Sequence, residues 1–510
     1  MCALGDFLVL SAPVLRQIAR YLPHHRSENA SKTHPKSAHD KFKTASYYLI
    51  FLMILFYRKH KSDKYALYKE HILHDYALYI IIFTIFAFKA KINMGKKVIQ
   101  EIILWQQDFI KNIKLQKRNI KIDPVGNYVF VGMRRAGKTY MLYQYIQQLL
   151  NEGHDAHEIL FVNFEDERIT DIKKEDLHII IDAYSELFVH EPIIFLDEIQ
   201  NIDGWEHFAR RLADEGRRVF ITGSNAHMLS REIASTLGGR FLMQEIWPFT
   251  FSEYLQYKGV VLQPHWHLTS QKAEVVRLLS DYFYFGGLAE SFSFIDKRLW
   301  LTSLYQKVLY SDIIIRKGIR NERSMTLLIR KLADSVMQPM AVKRLQNILQ
   351  GDGTKINRNT ISTYLSYLKE AYLCFSISNF TDTIPQREVM QKHYFYDNGV
   401  LNLFLINPES KLLENVVSIY LLRTYGEGLF YYNRNVEVDF YIPSEQLGIQ
   451  VSYDMSDQET RNREVSALVK LNAFKPLKRS VVITYNEESS IVIGNQTIEI
   501  IPVWKWMLEG

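Results

Sequence analysis

Cysteine is almost absent from this chain of 510 residues, which has only Cys2 and Cys374. So few and so distant thiols exclude a disulfide framework and a zinc cluster. A chain without disulfides suits a reducing compartment, so we expect a cytoplasmic protein. The hydrophobic content of 47% and charged content of 23% are typical of a globular protein. A chain of this length is longer than a domain with a single hydrophobic core, so several domains are expected.

The chain also lacks an apolar run of the roughly 20 residues that a transmembrane helix needs. Its two most apolar stretches, residues 46–57 and 76–88, are shorter, and basic residues flank both as they flank membrane-edge segments. The sequence therefore disfavours membrane contact through residues 46–88 but leaves it open.

A large excess of charge of one sign is missing from most of the chain. The net charge is +6, but residues 1–93 hold 14 of the 62 Lys and Arg and 6 of the 56 Asp and Glu, leaving 48 against 50 elsewhere. The basic excess belongs to this N-terminal extension, so it gives no argument that the body binds nucleic acid.

The basic extension at residues 1–93 has three interpretations. It is a membrane-associated hairpin, a small helical appendage packed on the body, or a segment outside the natural domain. The sequence Met94-Gly95-Lys96-Lys97 looks like a start and an amphipathic helix follows it, which favours the third interpretation.

The sequence from Tyr128 to Leu149 has the order of a phosphate-binding strand, loop and helix. The strand 128–131 is followed by Gly132, four further residues, and Gly137-Lys138-Thr139, the pattern of a P-loop. Its backbone N–H groups would surround the phosphates of ATP, its lysine would approach the β- and γ-phosphates, and its threonine hydroxyl would join the shell of Mg²⁺. The predicted nucleotide-binding residues are Gly132, Arg134, Arg135, Ala136, Gly137, Lys138, Thr139 and Tyr140.

Two adjacent acids follow a second apolar run. Residues 193–196 are predicted to form a buried parallel strand, which places Asp197 and Glu198 at the edge of the sheet where such folds bind ligands. We expect Asp197 to hold Mg²⁺ together with Thr139. We expect Glu198 to orient and deprotonate the attacking water, and Lys138 to act with it in catalysis.

Two further residues are candidates for catalysis. Asn225, or Ser224 beside it, follows the strand 218–222 and would reach the γ-phosphate or the water, although both residue types also cap turns. Arg240 and Arg231 would act on the nucleotide of a neighbouring subunit in a homo-oligomer. The alternative for these arginines is an ordinary surface position.

Several segments together resemble a known family. They are GMRRAGKT, IIFLDEIQN, ITGSNAHMLS, LGGRF and WPFTFSEYL, all between residues 132 and 255. They are similar to segments of the prokaryotic AAA-type P-loop ATPases whose C-terminal half is a nuclease-like domain of unknown function. The match includes the arginine pair Arg134 and Arg135, the Asp-Glu-x-Gln box through Gln200, and the turn from Pro248 to Tyr254.

The resemblance and the helical periodicity together define the middle of the chain. The segment YFYFGGLAE (282–290) is similar to the family's Gly-Gly segment, which implies a helical lid over the nucleotide at residues 256–325. Residues 326–385 have the spacing of a winged helix, with 358–368 as the recognition helix. Such a helix enters the major groove of duplex DNA, but winged helices also contact proteins, so the partner stays open.

The tail, residues 386–510, resembles a restriction-endonuclease-like α/β domain. That fold uses a helix Glu, a strand Asp and a Glu-x-Lys pair to hold Mg²⁺ and activate water. Glu414 and Asp439 match the first two positions, but Gln450 and Ser452 stand at the others. Because two of the four groups are missing, the resemblance implies a degenerate, inactive nuclease domain.

The predicted fold is therefore α/β, with a P-loop parallel-sheet core at residues 94–255 followed by the lid, the winged helix and the nuclease-like domain. The predicted function is hydrolysis of ATP to ADP and phosphate in a switch or remodeller that acts on nucleic acid or a protein partner. Two alternatives remain. One is a binding scaffold with a structural nucleotide and no turnover, and the other is an ATP-dependent nuclease.

Overall fold

The computed structural model describes residues 95–351, 353 and 356–509. The predicted extension at residues 1–93, with its membrane contact through residues 46–88, lies outside the described residues. Among the helices within the described ranges, none is both long enough and apolar enough to cross a membrane.

The first sheet is built from short runs of β-branched and aromatic residues. Its strands are β1 (Asn127–Val131), β2 (Ile159–Asn163), β3 (Ile193–Asp197), β4 (Val219–Gly223) and β5 (Phe241–Glu245). All neighbouring strands are parallel, in the spatial order β2-β3-β4-β1-β5. Every residue of β3 and β4 is buried, as expected for central strands of a parallel sheet. The predicted parallel-sheet α/β core is confirmed.

Helices connect these strands and cover the sheet. They are α1 (95–112), α2 (Lys138–Asn151), α3 (His178–Ser185), α4 (Trp205–Asp214), α5 (Arg231–Leu237) and α6 (Phe251–Tyr257). Their sequences have the period of an amphipathic helix; in α4, for example, Trp205, Phe208, Ala209 and Leu212 are buried on one face. Short 3₁₀ segments lie at Ala156–Glu158, Glu167–Ile169, Lys174–Asp176, Ile199–Asn201, Ala226–Leu229, Trp266–Leu268, Ala289–Ser293 and Gly426–Gly428.

A helical segment follows the first sheet. It contains α7 (Gln271–Phe285), α8 (Lys297–Lys307), a π-helix (Val308–Ile315) that continues α8, and α9 (Glu322–Asp334). The helix α7 ends at Phe285, and Gly286 and Gly287 follow it. There Phe249 N–H donates to the Gly287 carbonyl at 2.7 Å. A Cβ on Gly287 would lie 2.3 Å from the Phe249 carbonyl oxygen, so only glycine permits this approach.

The second sheet has nine strands and includes residues on both sides of position 385. Its strands are β6 (Met340–Ala341), β7 (Cys374–Asn379), β8 (Met390–Phe395), β9 (Phe430–Asn433), β10 (Glu437–Ile442), β11 (Leu447–Val451), β12 (Arg479–Thr484), β13 (Ser489–Ile493) and β14 (Gln496–Pro502). The spatial order is β13-β14-β12-β11-β10-β9-β7-β8-β6. The strand β8 pairs antiparallel with both β6 and β7, while β7 pairs parallel with β9.

Helices pack on this second sheet. They are α10 (Val342–Gly351), α11 (Arg358–Glu370), α12 (Ile384–Val389), α13 (Asn398–Asn402), α14 (Glu409–Tyr425), α15 (Gln458–Phe474) and α16 (Val503–Glu509). One hydrophobic core extends from Ile99 to Met507, and a smaller one lies between α15 and its neighbouring strands. Asp397, fully buried, accepts a hydrogen bond from Gly287 N–H at 2.8 Å and thereby joins the tail to the turn after α7.

Candidate functional site

The loop between β1 and α2 contains two glycines that adopt left-handed backbone conformations. Gly132 has φ 151°, and a Cβ there would lie 2.1 Å from the Ile246 carbonyl oxygen. Gly137 has φ 95° and precedes the first residue of α2. A side chain at Gly132 would push the loop away from the end of the sheet, so the glycine pattern follows directly from the packing.

Arg118, which was not predicted as a site residue, holds the loop in place through hydrogen bonds. Its guanidinium donates to the Ala136 carbonyl at 3.1 Å and makes two hydrogen bonds, at 2.8 and 3.1 Å, to the carboxylate of Glu253. Arg118 is buried and lies over the ring of Phe249. Nothing in the local sequence marks Arg118, because its partners lie at distant positions of the chain.

Lys138 is buried, and its ammonium points into the loop. It donates to the carbonyls of Gly132 at 3.3 Å and Met133 at 3.2 Å, and it lies 3.5 Å from a carboxylate oxygen of Glu198. A phosphate group is a stronger partner for an ammonium than a neutral carbonyl is. The lysine is therefore available to a phosphate in the loop.

Asp197 lies at the end of β3 and is fully buried. Its carboxylate accepts hydrogen bonds from the hydroxyls of Thr139, at 3.0 Å, and Thr222, at 2.6 Å. Burial and the nearby charge of Glu198 raise the pKa of Asp197 to about 7. Thr222 was not predicted as a site residue, although a polar side chain at the end of a buried strand was a usable signal.

Glu198 adopts a left-handed conformation with φ 54°, which is uncommon for a residue with a side chain. Its carboxylate accepts hydrogen bonds from the amide of Gln200 at 2.5 Å and the hydroxyl of Ser224 at 3.0 Å. Burial by itself raises the pKa of Glu198, but the charge of Lys138 and the hydrogen bond from Gln200 outweigh it, and the pKa lies below the ordinary value. The carboxylate is therefore ionised at neutral pH.

Three of the predicted site residues make no hydrogen bond to Lys138, Thr139, Asp197 or Glu198. The Asn225 side chain accepts from His227 N–H at 2.8 Å and caps a 3₁₀ turn, whereas Ser224 beside it reaches Glu198. Arg240 forms an ion pair with Asp214 and donates to the Gly238 carbonyl at 3.1 Å. Tyr140 is exposed and its ring lies 5.7 Å from that of Tyr143.

The arginine pair of the loop connects it to other segments. Arg134 makes hydrogen bonds to Asp312 at 3.0 and 3.3 Å and to Glu165 at 3.0 Å. Arg135 donates to Glu290 at 2.9 Å. Asp312 and Glu290 both belong to the helical segment that follows the first sheet, so the loop and that segment are joined by ion pairs.

The donor set fits a nucleotide with Mg²⁺. Thr139 and Asp197 offer hydroxyl and carboxylate oxygens within hydrogen-bonding distance of each other. In the described part of the chain, no group of three or more His, Cys, Asp and Glu side chains could hold a metal ion. Mg²⁺ ordinarily completes its shell with water and substrate phosphates, so two protein oxygens are sufficient here.

The tail contains a second buried group of charges. Lys392 on β8 is fully buried, with its ammonium 3.0 Å from Asp439 and 3.4 Å from Glu414. Tyr394 donates to Glu414 at 2.6 Å. Burial alone would lower the pKa of Lys392, but the carboxylates of Glu414 and Asp439 raise it above its ordinary value. Sequence reasoning found both acids and missed the lysine between them.

The other two predicted positions of the tail differ in their surroundings. The Gln450 side-chain oxygen accepts from Asp439 N–H at 2.7 Å, and its amide donates to Glu464 at 2.6 Å. The Ser452 hydroxyl donates to the Asp454 carbonyl at 3.0 Å. Thus Glu414, Asp439 and Gln450 are brought together, whereas Ser452 is bonded to the following turn.

Two family models match separate parts of the chain. Residues 126–255 match the model of an AAA domain, and residues 276–411 match that of a domain of unknown function, DUF8612. The second match covers most of the predicted lid, the predicted winged helix and the start of the tail.

Two uncharacterized relatives match most of the length of this chain. The uncharacterized protein MJ1544 of Methanocaldococcus jannaschii is 35% identical, over 81% of this chain and 96% of that protein. An uncharacterized protein of Haemophilus influenzae is 29% identical, over 75% of this chain and 94% of its own length. Among solved structures, the Walker-type ATPase PABY2304 of Pyrococcus abyssi matches 58% of this chain and 100% of that chain, at 13% identity and a TM-score of 0.34. A TM-score this low supports no functional assignment.

The raised pKa of Asp197 predicts a stability change with pH. The folded-state pKa of about 7 lies above the ordinary value of 3.8, so the stability that Asp197 contributes is complete below pH 4 and is lost as pH rises to about 7. We therefore expect Asp197→Asn to stabilise the protein relative to wild type, by a margin that grows between pH 4 and pH 7. Thermal unfolding in EDTA at several pH values measures this margin. A margin that is constant with pH would contradict the prediction.

The tail predicts a large effect of removing Lys392. Lys392→Met would leave the carboxylates of Glu414 and Asp439 without their cation, and breaking a buried ion pair in this way costs about 3–5 kcal/mol. The control is Lys369→Met, because Lys369 is also largely buried but bonds to the neutral Gln391 at 3.1 Å. We expect a much larger fall in the thermal midpoint for Lys392→Met than for the control, and equal falls would show that the ion pairs contribute little.

Proposed function

The chain belongs to the same family as the uncharacterized protein MJ1544 and contains an AAA domain, and on that premise we propose that it hydrolyses ATP to ADP and phosphate. ATP would bind at residues 132–140, with Mg²⁺ held by Thr139 and Asp197. One observation carries the proposal. At a single edge of the first sheet, Lys138 lies 3.5 Å from Glu198 while Thr139 lies 3.0 Å from Asp197.

The chemistry follows from these groups. Backbone N–H groups of the loop and the start of α2 would bind the phosphates, and Lys138 would exchange its two carbonyl partners for phosphate oxygens. Mg²⁺, when bound, would neutralise phosphate charge. Glu198 would orient a water molecule for attack on the γ-phosphorus and accept its proton, while the bond from that phosphorus to the β–γ bridging oxygen breaks. The ionised state of Glu198 suits this role.

The remaining site residues have supporting roles in the proposal. Ser224 and Gln200 hold the Glu198 carboxylate in place, which supports Ser224 more than Asn225 as the polar residue behind the water. Arg135 lies on the loop with an exposed guanidinium that can contact a phosphate, whereas Arg134 is held by Asp312 and supports the loop. Arg240 would act only in a homo-oligomer, after leaving Asp214.

We further propose a helical lid at residues 256–325 and a winged helix at residues 326–385. The order α9, β6, α10, α11, β7 supports the winged helix, and β8, which lies just beyond these bounds at Met390–Phe395, pairs with both β6 and β7. On α11, Ile361 and Leu368 are buried, whereas Arg358, Ser362 and Ser366 are exposed. An exposed polar face on this helix supports duplex DNA as the partner of a switch or remodeller, with a protein as the alternative.

For the tail, we propose an inactive nuclease-like domain that serves in binding or architecture. The order α14, β9, β10, β11, α15, β12 supports that fold. The ammonium of Lys392 already contacts both Glu414 and Asp439, so a divalent cation would have to displace it from two carboxylates. This arrangement supports the absence of nuclease activity.

ATP turnover separates the proposed ATPase from a nucleotide-binding scaffold. We expect Glu198→Gln to lower the turnover number by about 10²–10⁴-fold while ATP still binds, because it removes the proton acceptor. Lys138→Ala should lose ATP binding. Phosphate release and calorimetric titration measure the two effects, with the exposed residues Glu274→Gln and Lys307→Ala as controls. Equal, near-zero turnover in wild type and Glu198→Gln, with ATP bound, would favour the scaffold.

The winged-helix proposal predicts binding of duplex DNA through exposed basic residues near α11. The double variant Arg344→Ala/Arg358→Ala should weaken binding and lower the slope of log affinity against log salt concentration by about 2, one for each lost phosphate contact. Fluorescence anisotropy of a labelled duplex at several salt concentrations measures the slope, and Lys307→Ala on α8 is the control. An unchanged slope would exclude these residues from the interface and favour a protein partner.

A further inference from the structure

The two consecutive arginines of the phosphate loop both donate hydrogen bonds to carboxylates of the helical segment. Arg134 contacts Asp312 in the π-helix, and Arg135 contacts Glu290 in the 3₁₀ segment after the Gly-Gly turn. These acids lie 178 and 155 positions further along the chain than their arginines. Two independent long-range ion pairs thus converge on adjacent residues of the loop.

The Arg134–Asp312 ion pair, the first half of this two-part contact, is buried. The side chains are 11% and 6% exposed, and the guanidinium makes two hydrogen bonds to the carboxylate, at 3.0 and 3.3 Å. Such a paired geometry fixes the orientation of both groups. Separation would leave the buried Asp312 carboxylate with only the Arg316 guanidinium, 3.9 Å away, which is unfavourable, so we expect this ion pair to persist. Its acid lies on a π-helix, a distortion that occurs frequently at functional sites.

The Arg135–Glu290 half is exposed. Its side chains are 50% and 42% exposed, and a single hydrogen bond of 2.9 Å joins them. An ion pair of this kind is worth at most about 1 kcal/mol, so it exchanges readily. Arg135 also adopts a left-handed conformation with φ 65°. Such a conformation in a residue with a side chain is costly and is typical of ligand-binding and switch positions.

We propose that Glu290 and Asp312 form a clasp on the phosphate loop, in which Asp312 positions the loop through Arg134 and Glu290 is released when a phosphate of bound ATP takes Arg135. The inference rests on the proposed function, since it describes regulation of that same site. A phosphate carries more negative charge than a carboxylate and offers the guanidinium more acceptor oxygens, so it competes for the exposed arginine. The neighbouring buried arginine stays with Asp312. Binding of ATP thereby breaks the contact between the loop and Glu290 and keeps the contact between the loop and Asp312.

The test is ATP affinity in variants of the exposed half. Glu290→Gln removes the competitor of the phosphate, so we expect binding about two- to fivefold tighter than wild type, the range that an exposed ion pair supports. In an Arg135→Ala background the same change should have no effect. Glu215→Gln is the matched control, because Glu215 pairs with Arg211 at 3.0 Å and 38% and 50% exposure, away from the loop. Calorimetric titration with ATP and Mg²⁺ gives the affinities.

Hydrogen exchange distinguishes the two halves. On addition of ATP and Mg²⁺, exchange should rise at residues 289–293 and stay unchanged or fall at residues 308–315. Wild-type affinity for ATP in Glu290→Gln, or tighter binding that persists with Arg135→Ala, would overturn the clasp alone. If wild type binds no ATP, the proposed function fails first and the clasp fails with it.

Discussion

The buried carboxylate of Asp197 is the constraint around which the first half of the molecule is organised. It lies at the end of a strand whose residues are all buried, and its direct partners are the hydroxyls of Thr139 and Thr222. Each hydroxyl comes from a different element beside β3. The start of α2 and the end of β4 are thus held against the same carboxylate, and the phosphate loop is fixed where the strands end. Burial and the nearby charge of Glu198 raise its pKa.

The strands of the first sheet were predictable because their signal is local. Runs such as residues 193–196 contain apolar, β-branched and aromatic side chains and end in polar ones, and the structure extends that strand by one residue, to Asp197. The P-loop pattern was equally local, since the loop needs its glycines at fixed spacing. Asn225 shows the limit of such reasoning: the sequence marks a polar turn, but only the fold shows that Ser224 is the residue facing Glu198.

Several residues of the site could not be predicted, because their partners are remote in the sequence. Arg118 supports the loop through Glu253, 135 positions away, and Lys392 reaches Asp439 across 47 positions. The identity of a lysine in the sequence does not show whether its side chain is buried or exposed. The nine-stranded sheet was missed for a similar reason, since the parallel pairing of β7 with β9 leaves no periodic signal in either strand.

Two buried lysines, Lys138 and Lys392, differ in whether their contacts leave room for a ligand. Lys138 donates to two neutral carbonyls and approaches one carboxylate, so a phosphate would improve its surroundings. Lys392 forms ion pairs with two carboxylates, so a ligand of either sign would have to break an existing ion pair. The same residue type is therefore an exchangeable group at the first sheet and a structural group at the second. This difference in partners, rather than burial itself, supports our proposals of a nucleotide at the loop and an architectural role for the tail.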